Sequence, residues 1–186
     1  KRILQEVWNR RAKDTLLKSP RELVTLASIV EKETGRADER SRVAGVFHNR
    51  LEKKMKLQSD PTIIYGLVGG KATLGRGLTR AEIDRPTPYN TYVINGLPPG
   101  PIANPGRAAM EATAVPSKTK DLFFVADGTG GHAFAETLEQ HNRNVVRWRQ
   151  IEASRPAGSV APATPSVSGE RSATDGGSGQ GNSLVT

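Results

Sequence analysis

The sequence predicts an α+β domain in which helices come first and a small set of short strands follows among further helices. Three observations support this fold class. Apolar residues recur at helical spacing behind capping residues early in the chain, short apolar runs bounded by Gly and Pro follow, and residues 155–186 are rich in Gly, Ser and Pro. We place one folded domain at residues 1–154. We expect residues 155–186 to form a disordered tail, because their few aliphatic side chains cannot offset the entropy of ordering.

The clearest predicted helix spans residues 19–35. Ser19 is the expected cap, Pro20 takes the first helical position, and Glu22 completes a capping box with Ser19. Gly35 is placed to terminate this helix. The side chains that recur at helical spacing, and so should face the core, are Leu23, Leu26, Ala27 and Val30.

Further elements follow from local signals. A second helix is expected after Asp38, and a third begins at Asp60, which we interpret as a helix cap before Pro61. Thr79 and Glu82 form another capping box, and Thr137 caps the last helix. The remaining predicted elements are strands at 91–94 and 122–126, a turn at 128–131 that leads into 132–134, and a helix that follows 104–106 and runs through Ala114.

Composition excludes several kinds of site. The chain has no cysteine, so it has neither disulfides nor thiolate ligands, and His48, His132 and His141 lack the spacing of zinc ligands. No metal and no cofactor is expected. Lys and Arg number 27 against 19 Asp and Glu, which suggests an anionic partner. We expect no nucleic acid, because stacking motifs are missing, although a salt-sensitive anion-binding module remains an alternative.

Glu33 is the candidate acid. Successive helix residues advance by about 100°, so Glu33 falls on the core side with Val30, whereas Lys32 faces away and Glu31 lies on the other flank. A carboxyl group that continues an apolar stripe should be partly desolvated, which raises its pKa and suits a general acid. The alternative is a glutamate at a helix end whose stem packs while its carboxylate reaches water.

Two polar segments are candidates for sugar binding. Gln58 and Ser59 come just before the predicted helix start, where they could line a cleft, although Asp60 could serve only as a cap. Tyr89 and Tyr92 flank an asparagine and could stack on sugar rings. An ordinary strand made of good β-formers is the alternative for this second segment.

Several segments together resemble the YceG-like family of endolytic murein transglycosylases, in the same order and over about residues 22–146. The matching segments are LASIVEKET (26–34), VFHNRL (46–51), LQSDPTIIYG (57–66), YNTY (89–92), GLPPGPI (96–102), FVADG (124–128) and GH (131–132). The resemblance implies a YceG-like catalytic domain in which Glu33, the second glutamate of Glu-Lys-Glu, is the catalytic residue. The residues then predicted to bind substrate are Thr34, Asn49, Gln58, Ser59, Asp60, Tyr65, Tyr89, Asn90, Thr91 and Tyr92.

The resemblance also implies an activity and a setting. The expected reaction cleaves the β-1,4 bond between N-acetylmuramic acid and N-acetylglucosamine in peptidoglycan and forms 1,6-anhydro ends, without a second carboxylate as nucleophile. Family members usually carry an N-terminal membrane helix and a binding module, and we expect both to be missing from this chain. The parent protein is therefore expected to be anchored at the extracytoplasmic (periplasmic) face of the cytoplasmic membrane and to work with cell-wall synthases. A lysozyme-type hydrolase and a non-catalytic peptidoglycan-binding or scaffold domain are the alternatives.

Overall fold

The structure is a computed structural model, and it describes residues 1–156. That part of the chain contains seven α-helices and two β-strands. In chain order they are α1 (Arg2–Asn9), α2 (Pro20–Glu33), α3 (Arg40–Glu52), α4 (Asp60–Val68), α5 (Arg80–Asp84), α6 (Arg107–Ala114), β1 (Phe123–Ala126), β2 (His132–Ala135) and α7 (Leu138–Ala153), and a single 3₁₀ turn, Gly69–Lys71, follows α4. The predicted α+β class is confirmed. The predicted tail lies outside the described residues apart from Arg155 and Pro156.

Helix α2 is the centre of the fold, because it packs against α1, α3, α4 and α6. Its side chains Leu23, Leu26, Ala27, Ile29 and Val30 are completely buried, and they join Phe47 of α3 and Phe124 of β1 in the main core. The two strands form an antiparallel pair in which Phe123 faces Ala135 and Ala126 faces His132. Helix α7 packs on this pair. No helix of residues 1–156 has both the length and the apolar character needed to cross a membrane.

The two ends of α2 were predicted with different success. Ser19 caps the helix as predicted, since its Oγ accepts a hydrogen bond from the Glu22 amide at 3.2 Å. The Glu22 carboxylate, however, accepts from the amide of Lys18 at 2.7 Å, so the bond back to Ser19 is replaced by one a residue earlier. Gly35 directly follows the C-cap, as its predicted place at the helix end requires, but the turn out of the helix is made one residue earlier, by Thr34 in extended backbone at φ −145° and ψ 135°.

The prediction that Asp60 caps α4 is also wrong. Ser59 occupies the capping position with extended backbone, and no side chain caps this helix end. Asp60 is already the first residue of α4, and its carboxylate instead accepts a hydrogen bond from the Tyr92 hydroxyl. The sequence signal Asp-Pro therefore located the helix start within one residue but assigned the carboxylate to the wrong partner.

The strand predicted at residues 91–94 is a series of turns. The Asn90 carboxamide causes this, because its Nδ2 donates to the carbonyls of Ile83 and Arg85, both at 2.8 Å, and its Oδ1 accepts from the Tyr92 amide at 2.9 Å. The amides of Val93 and Ile94 then donate to the Asn90 carbonyl. Backbone groups that bond to one buried side chain and to each other in turns are not available to pair with a neighbouring strand.

The remaining local predictions are confirmed. Thr79 and Glu82 form a complete capping box at α5, and the Thr137 hydroxyl accepts from the Gln140 amide at the start of α7. The predicted strand at 122–126 is β1, and the turn after it leads into β2. The helix predicted after 104–106 is α6.

Candidate active site

Glu33 is the last residue of α2, and its side chain is completely buried. The Ser59 hydroxyl, itself buried, donates a hydrogen bond of 2.5 Å to Glu33 Oε1. The other oxygen, Oε2, has no hydrogen-bond partner among residues 1–156. The side chain of Glu33 thus points in the direction that helical spacing predicts, but it lies deeper than the partial burial that was expected.

Burial raises the pKa of Glu33 to about 8. Loss of hydration is the main cause, because a charged carboxylate is costly to remove from water. The negative charge of Asp60 raises the pKa further, while the Ser59 hydrogen bond and the Arg50 charge act in the opposite direction. Glu33 therefore holds its proton at neutral pH, as a general acid must before it donates.

Ser59 is held in place by a hydroxyl network. Its amide donates to Thr91 Oγ1 at 2.9 Å, and its carbonyl accepts from Thr62 Oγ1 at 2.6 Å. The hydroxyls of Thr62 and Thr91 lie 2.8 Å apart, and all three residues are buried. These bonds connect the start of α4 to the turns that follow Asn90. They hold the Ser59 hydroxyl in position to donate to Glu33.

Arg50 is a site residue that the sequence reasoning missed. Its side chain is completely buried, and its guanidinium donates to the carbonyls of Leu122 at 2.7 Å and Lys56 at 2.9 Å and to Gln58 Oε1 at 3.3 Å. Burial lowers the pKa of Arg50 to about 10, so it remains charged at neutral pH. The available signal was its position, because it continues the α3 stripe of Val46 and Phe47 at helical spacing.

The other predicted site residues divide into three groups. Gln58, at a positive φ of 50°, lies in this cluster through Arg50, and the buried Asn90 and Thr91 hold the turns described above. Tyr65 and Tyr89 pack together with ring centres 4.7 Å apart.

The side chains of Thr34 and Asn49 bond to backbone groups. The Thr34 hydroxyl accepts from the Arg36 amide, and Asn49 Nδ2 donates to the carbonyls of Thr119 and Asp121. The substrate-binding roles of all these residues stay predictions.

A groove of about 870 Å³ lies beside this cluster. It is lined by Glu31 and Lys32 of α2, by Asp60, Ile64 and Tyr65 of α4, and by segments 69–74 and 101–104. Its volume is within the usual range for ligand pockets. Asp60 and Tyr65 face it directly, whereas Glu33 does not line it and lies one layer behind, in contact with Ser59. Within residues 1–156 no three His, Asp or Glu side chains meet in a metal-binding arrangement.

A sequence model described as the YceG-like family matches residues 1–147. The chain belongs to the YceG-like family. Membership was predicted from the motifs, and it is confirmed.

Two relatives of this YceG-like chain carry the name endolytic murein transglycosylase. The one from Bacillus subtilis (strain 168) is 45% identical over 125 residues, which is 67% of this chain and 34% of the relative. The one from Streptococcus pneumoniae serotype 2 (strain D39 / NCTC 7466) is 42% identical over 131 residues, which is 67% of this chain and 23% of the relative. The chain therefore spans between about a quarter and a third of the length of these relatives.

A solved structure agrees with this assignment. The crystal structure of a YceG-like protein from Listeria monocytogenes matches with a TM-score of 0.61 and 44% sequence identity, and the match covers 67% of this chain and 40% of the other. A YceG-like fold is thereby supported by sequence and by structure together.

Proposed function

We propose that this chain is the catalytic domain of an endolytic lytic transglycosylase, which cuts the β-1,4 bond between N-acetylmuramic acid and N-acetylglucosamine in peptidoglycan. The observation that carries the proposal is the buried carboxyl group of Glu33, which keeps its proton at neutral pH one layer behind a groove of ligand size. The names of the two relatives point to the same reaction.

The proposed reaction needs one acid that later serves as a base. Glu33 donates its proton to the bridging oxygen, the bond from that oxygen to C1 of muramic acid breaks, and an oxocarbenium-like state develops. The muramic 6-hydroxyl attacks C1 of its own ring, and its proton returns to the Glu33 carboxylate. The products are a free 4-hydroxyl on the leaving glucosamine and a 1,6-anhydro end. The attacking group belongs to the substrate and has a high effective concentration.

Access to Glu33 requires a local movement. Its carboxyl group is completely buried in the free chain and does not line the groove, and the adjoining layer includes its hydrogen-bond partner Ser59 and the groove-lining Asp60. In the proposed cycle, a bound strand displaces this layer, and the glycosidic oxygen then reaches Glu33. Catalytic hydrogen bonds often form only in the complex, so a buried acid in the free protein is compatible with this role.

The test is digestion of purified glycan strands, with product masses read directly. We expect fragments with anhydro ends from the unaltered chain and a loss of about 10²–10⁴ in rate for Glu33→Gln. Glu139→Gln is the matched control, since Glu139 is an exposed residue of α7. Reducing muramic ends would indicate a hydrolase, and strand binding without any released fragment would indicate a scaffold domain.

The setting of the whole protein is a further part of the proposal. We place it at the extracytoplasmic face of the cytoplasmic membrane, anchored by a helix outside this chain and in contact with cell-wall synthases. This placement rests on the family resemblance. Fractionation of cells that express the whole protein, with and without its N-terminal region, tests the anchoring.

A further inference from the structure

A second carboxylate, that of Asp60, follows Ser59 in the chain and belongs to the same buried cluster as Glu33. Asp60 lines the groove and is only 3% exposed, and its negative charge raises the pKa of Glu33. Two acidic side chains in one buried cluster cannot both ionise without a large repulsion, so they are expected to differ in protonation. The environment of each then decides which of them keeps the proton.

One hydrogen bond of Asp60 favours its charged form. The Tyr92 hydroxyl donates to Asp60 Oδ1, and a hydrogen bond donated to a carboxylate stabilises the anion. Tyr92 is itself positioned by its backbone, because its amide donates to Asn90 Oδ1 at 2.9 Å. Asn90 is completely buried and fixed by two further bonds, so the donor that serves Asp60 is held firmly.

The environment of Glu33 favours its neutral form. Its Oε1 accepts from Ser59, and its Oε2 has no partner among residues 1–156. The ionisable groups that act on it are Asp60 at the start of α4 and Arg50 of α3, and Tyr92 enters the same cluster through its interactions with Asp60 and Arg50. The Arg50 charge acts on Glu33 in the direction opposite to Asp60, and its guanidinium also donates to the carbonyls of Leu122 and Lys56 and to Gln58.

We propose that Asp60 is a positioning residue which, oriented by Tyr92, keeps a negative charge beside Glu33 and so holds in place the proton that Glu33 donates. Asp60 forms no bond to the sugar in this role, and the nucleophile remains the muramic 6-hydroxyl. The inference rests on the proposed function for its catalytic meaning. The pairing of the two carboxyl groups is a property of the protein alone.

The kinetic test follows kcat/KM against pH for the unaltered chain, Asp60→Asn, Tyr92→Phe and Asp84→Asn. The last variant is the matched control, since Asp84 pairs with Arg80 at the surface. We expect activity to fall above about pH 8 in the unaltered chain. In Asp60→Asn this limit should lie about one pH unit or more lower, and in Tyr92→Phe it should move in the same direction by less. The control should keep the original limit.

A second measurement does not need activity. Carbon-13 NMR of side-chain carboxyl groups, with the Glu33 signal identified by its loss in Glu33→Gln, follows the proton directly in each variant. An unchanged Glu33 titration in Asp60→Asn overturns the inference, as does an unchanged alkaline limit of kcat/KM. If the unaltered chain releases no anhydro product while Asp60→Asn still shifts the Glu33 titration, the proposed function fails and the carboxyl pairing stands.

Discussion

Ser59 and Asp60 are neighbours in the chain and act on the same carboxyl group in opposite directions. The Ser59 hydroxyl donates to Glu33 and lowers its pKa, whereas the charge of Asp60 raises it. The acid strength of Glu33 is therefore set by burial, the largest effect, and adjusted by the Ser59 hydrogen bond and by the opposing charges of Asp60 and Arg50. Each contribution can be removed by a substitution that leaves the backbone alone.

Ser59→Ala is expected to move the alkaline limit of kcat/KM to higher pH, opposite to the change expected for Asp60→Asn. The reason is that a hydrogen bond to the carboxylate favours its charged form, and its loss makes the proton harder to remove. We also expect kcat to fall by about tenfold, the equivalent of one hydrogen bond that orients Glu33. The measurement is the rate of strand cleavage between pH 5 and pH 9. Ser154→Ala, at the exposed end of α7, is the control, and a limit that moves downward in Ser59→Ala would contradict the account.

At this scale, the sequence predicted directions better than partners. The 100° spacing placed Glu33 on the core side, because a helix face depends only on local periodicity. Asp60 bonds to Tyr92 and Arg50 bonds to Leu122, and these partners lie 32 and 72 residues away along the chain. No local pattern contains that information.

Close contacts fix the helices to the loops around them, and one such contact is made at Gly45 in α3. A β-carbon at Gly45 would lie 2.6 Å from the Ser117 carbonyl oxygen, which is backbone and cannot rotate away. Ser117 is held there by two contacts with Ser41, from its amide to the Ser41 carbonyl and between the two hydroxyls. Helix α3 and the segment before β1 are therefore packed at the distance that only glycine allows.

Gly45→Ala should lower the free energy of unfolding by at least about 1 kcal/mol, because the clash outweighs the better helix propensity of alanine. Chemical denaturation of both proteins measures the difference. Gly35→Ala is the matched control, since a β-carbon there meets nothing within 4 Å. Equal or higher stability of Gly45→Ala would show that the segment around Ser117 shifts freely.

Arg50 of α3 binds the residue before β1 and the loop before α4, and its removal should be costly. Arg50→Met leaves the carbonyls of Leu122 and Lys56 without their charged donor in a buried place. We expect a loss of about 3 kcal/mol in the free energy of unfolding, measured by denaturation with Arg149→Met, an exposed position of α7, as the control. A loss no larger than that of the control would mean that the guanidinium is dispensable.

Elements whose start depends on a neighbouring side chain could be predicted, and those that depend on distant side chains could not. The caps at Ser19, Thr79 and Thr137 lie within three residues of the amides they serve. The turns at 91–94 contain good β-forming residues, and they fold differently because Asn90 binds the carbonyls of α5 and the residue after it. At these residues, the hydrogen bonds of the buried Asn90 side chain outweigh the local propensity for a strand.

For the whole molecule, a protonated buried acid makes stability depend on pH. In the unfolded chain Glu33 releases its proton near 4.5, whereas in the folded chain it keeps the proton up to about pH 8. Between these values the folded state binds more protons, so the contribution of Glu33 to the free energy of unfolding falls as pH rises. That contribution is fully present below about pH 4.5 and lost above about pH 8.

Glu33→Gln does not titrate, so it should become more stable relative to the unaltered chain as pH rises from 5 to 9. The gain should be on the order of a few kcal/mol. Other titrating groups are common to both proteins and cancel in the difference. Denaturation curves at pH 5, 7 and 9 measure it, and a difference that stays constant with pH would mean that Glu33 is ionised in the folded state.

The fold class and the family were predicted from the sequence, since helix periodicity and ordered motifs extend over most of the domain. The groove was expected only in outline. Its walls come from α2, α4 and segments 69–74 and 101–104, which are joined by packing around α2 and not by any local signal. The motif segments 57–66 and 96–102 contribute to two of those walls.

The layer that separates Glu33 from the groove also separates it from reagents. A water-soluble carbodiimide should label the surface carboxylates rapidly and reach Glu33 only when Ser59 and Asp60 move aside. Inactivation would then lag behind overall labelling, and its rate would report how often the free protein opens. An inhibitor designed for this domain should accordingly bind the groove walls around Tyr65 and Lys32. A reactive group aimed at Glu33 would be blocked by the layer that covers its carboxyl group.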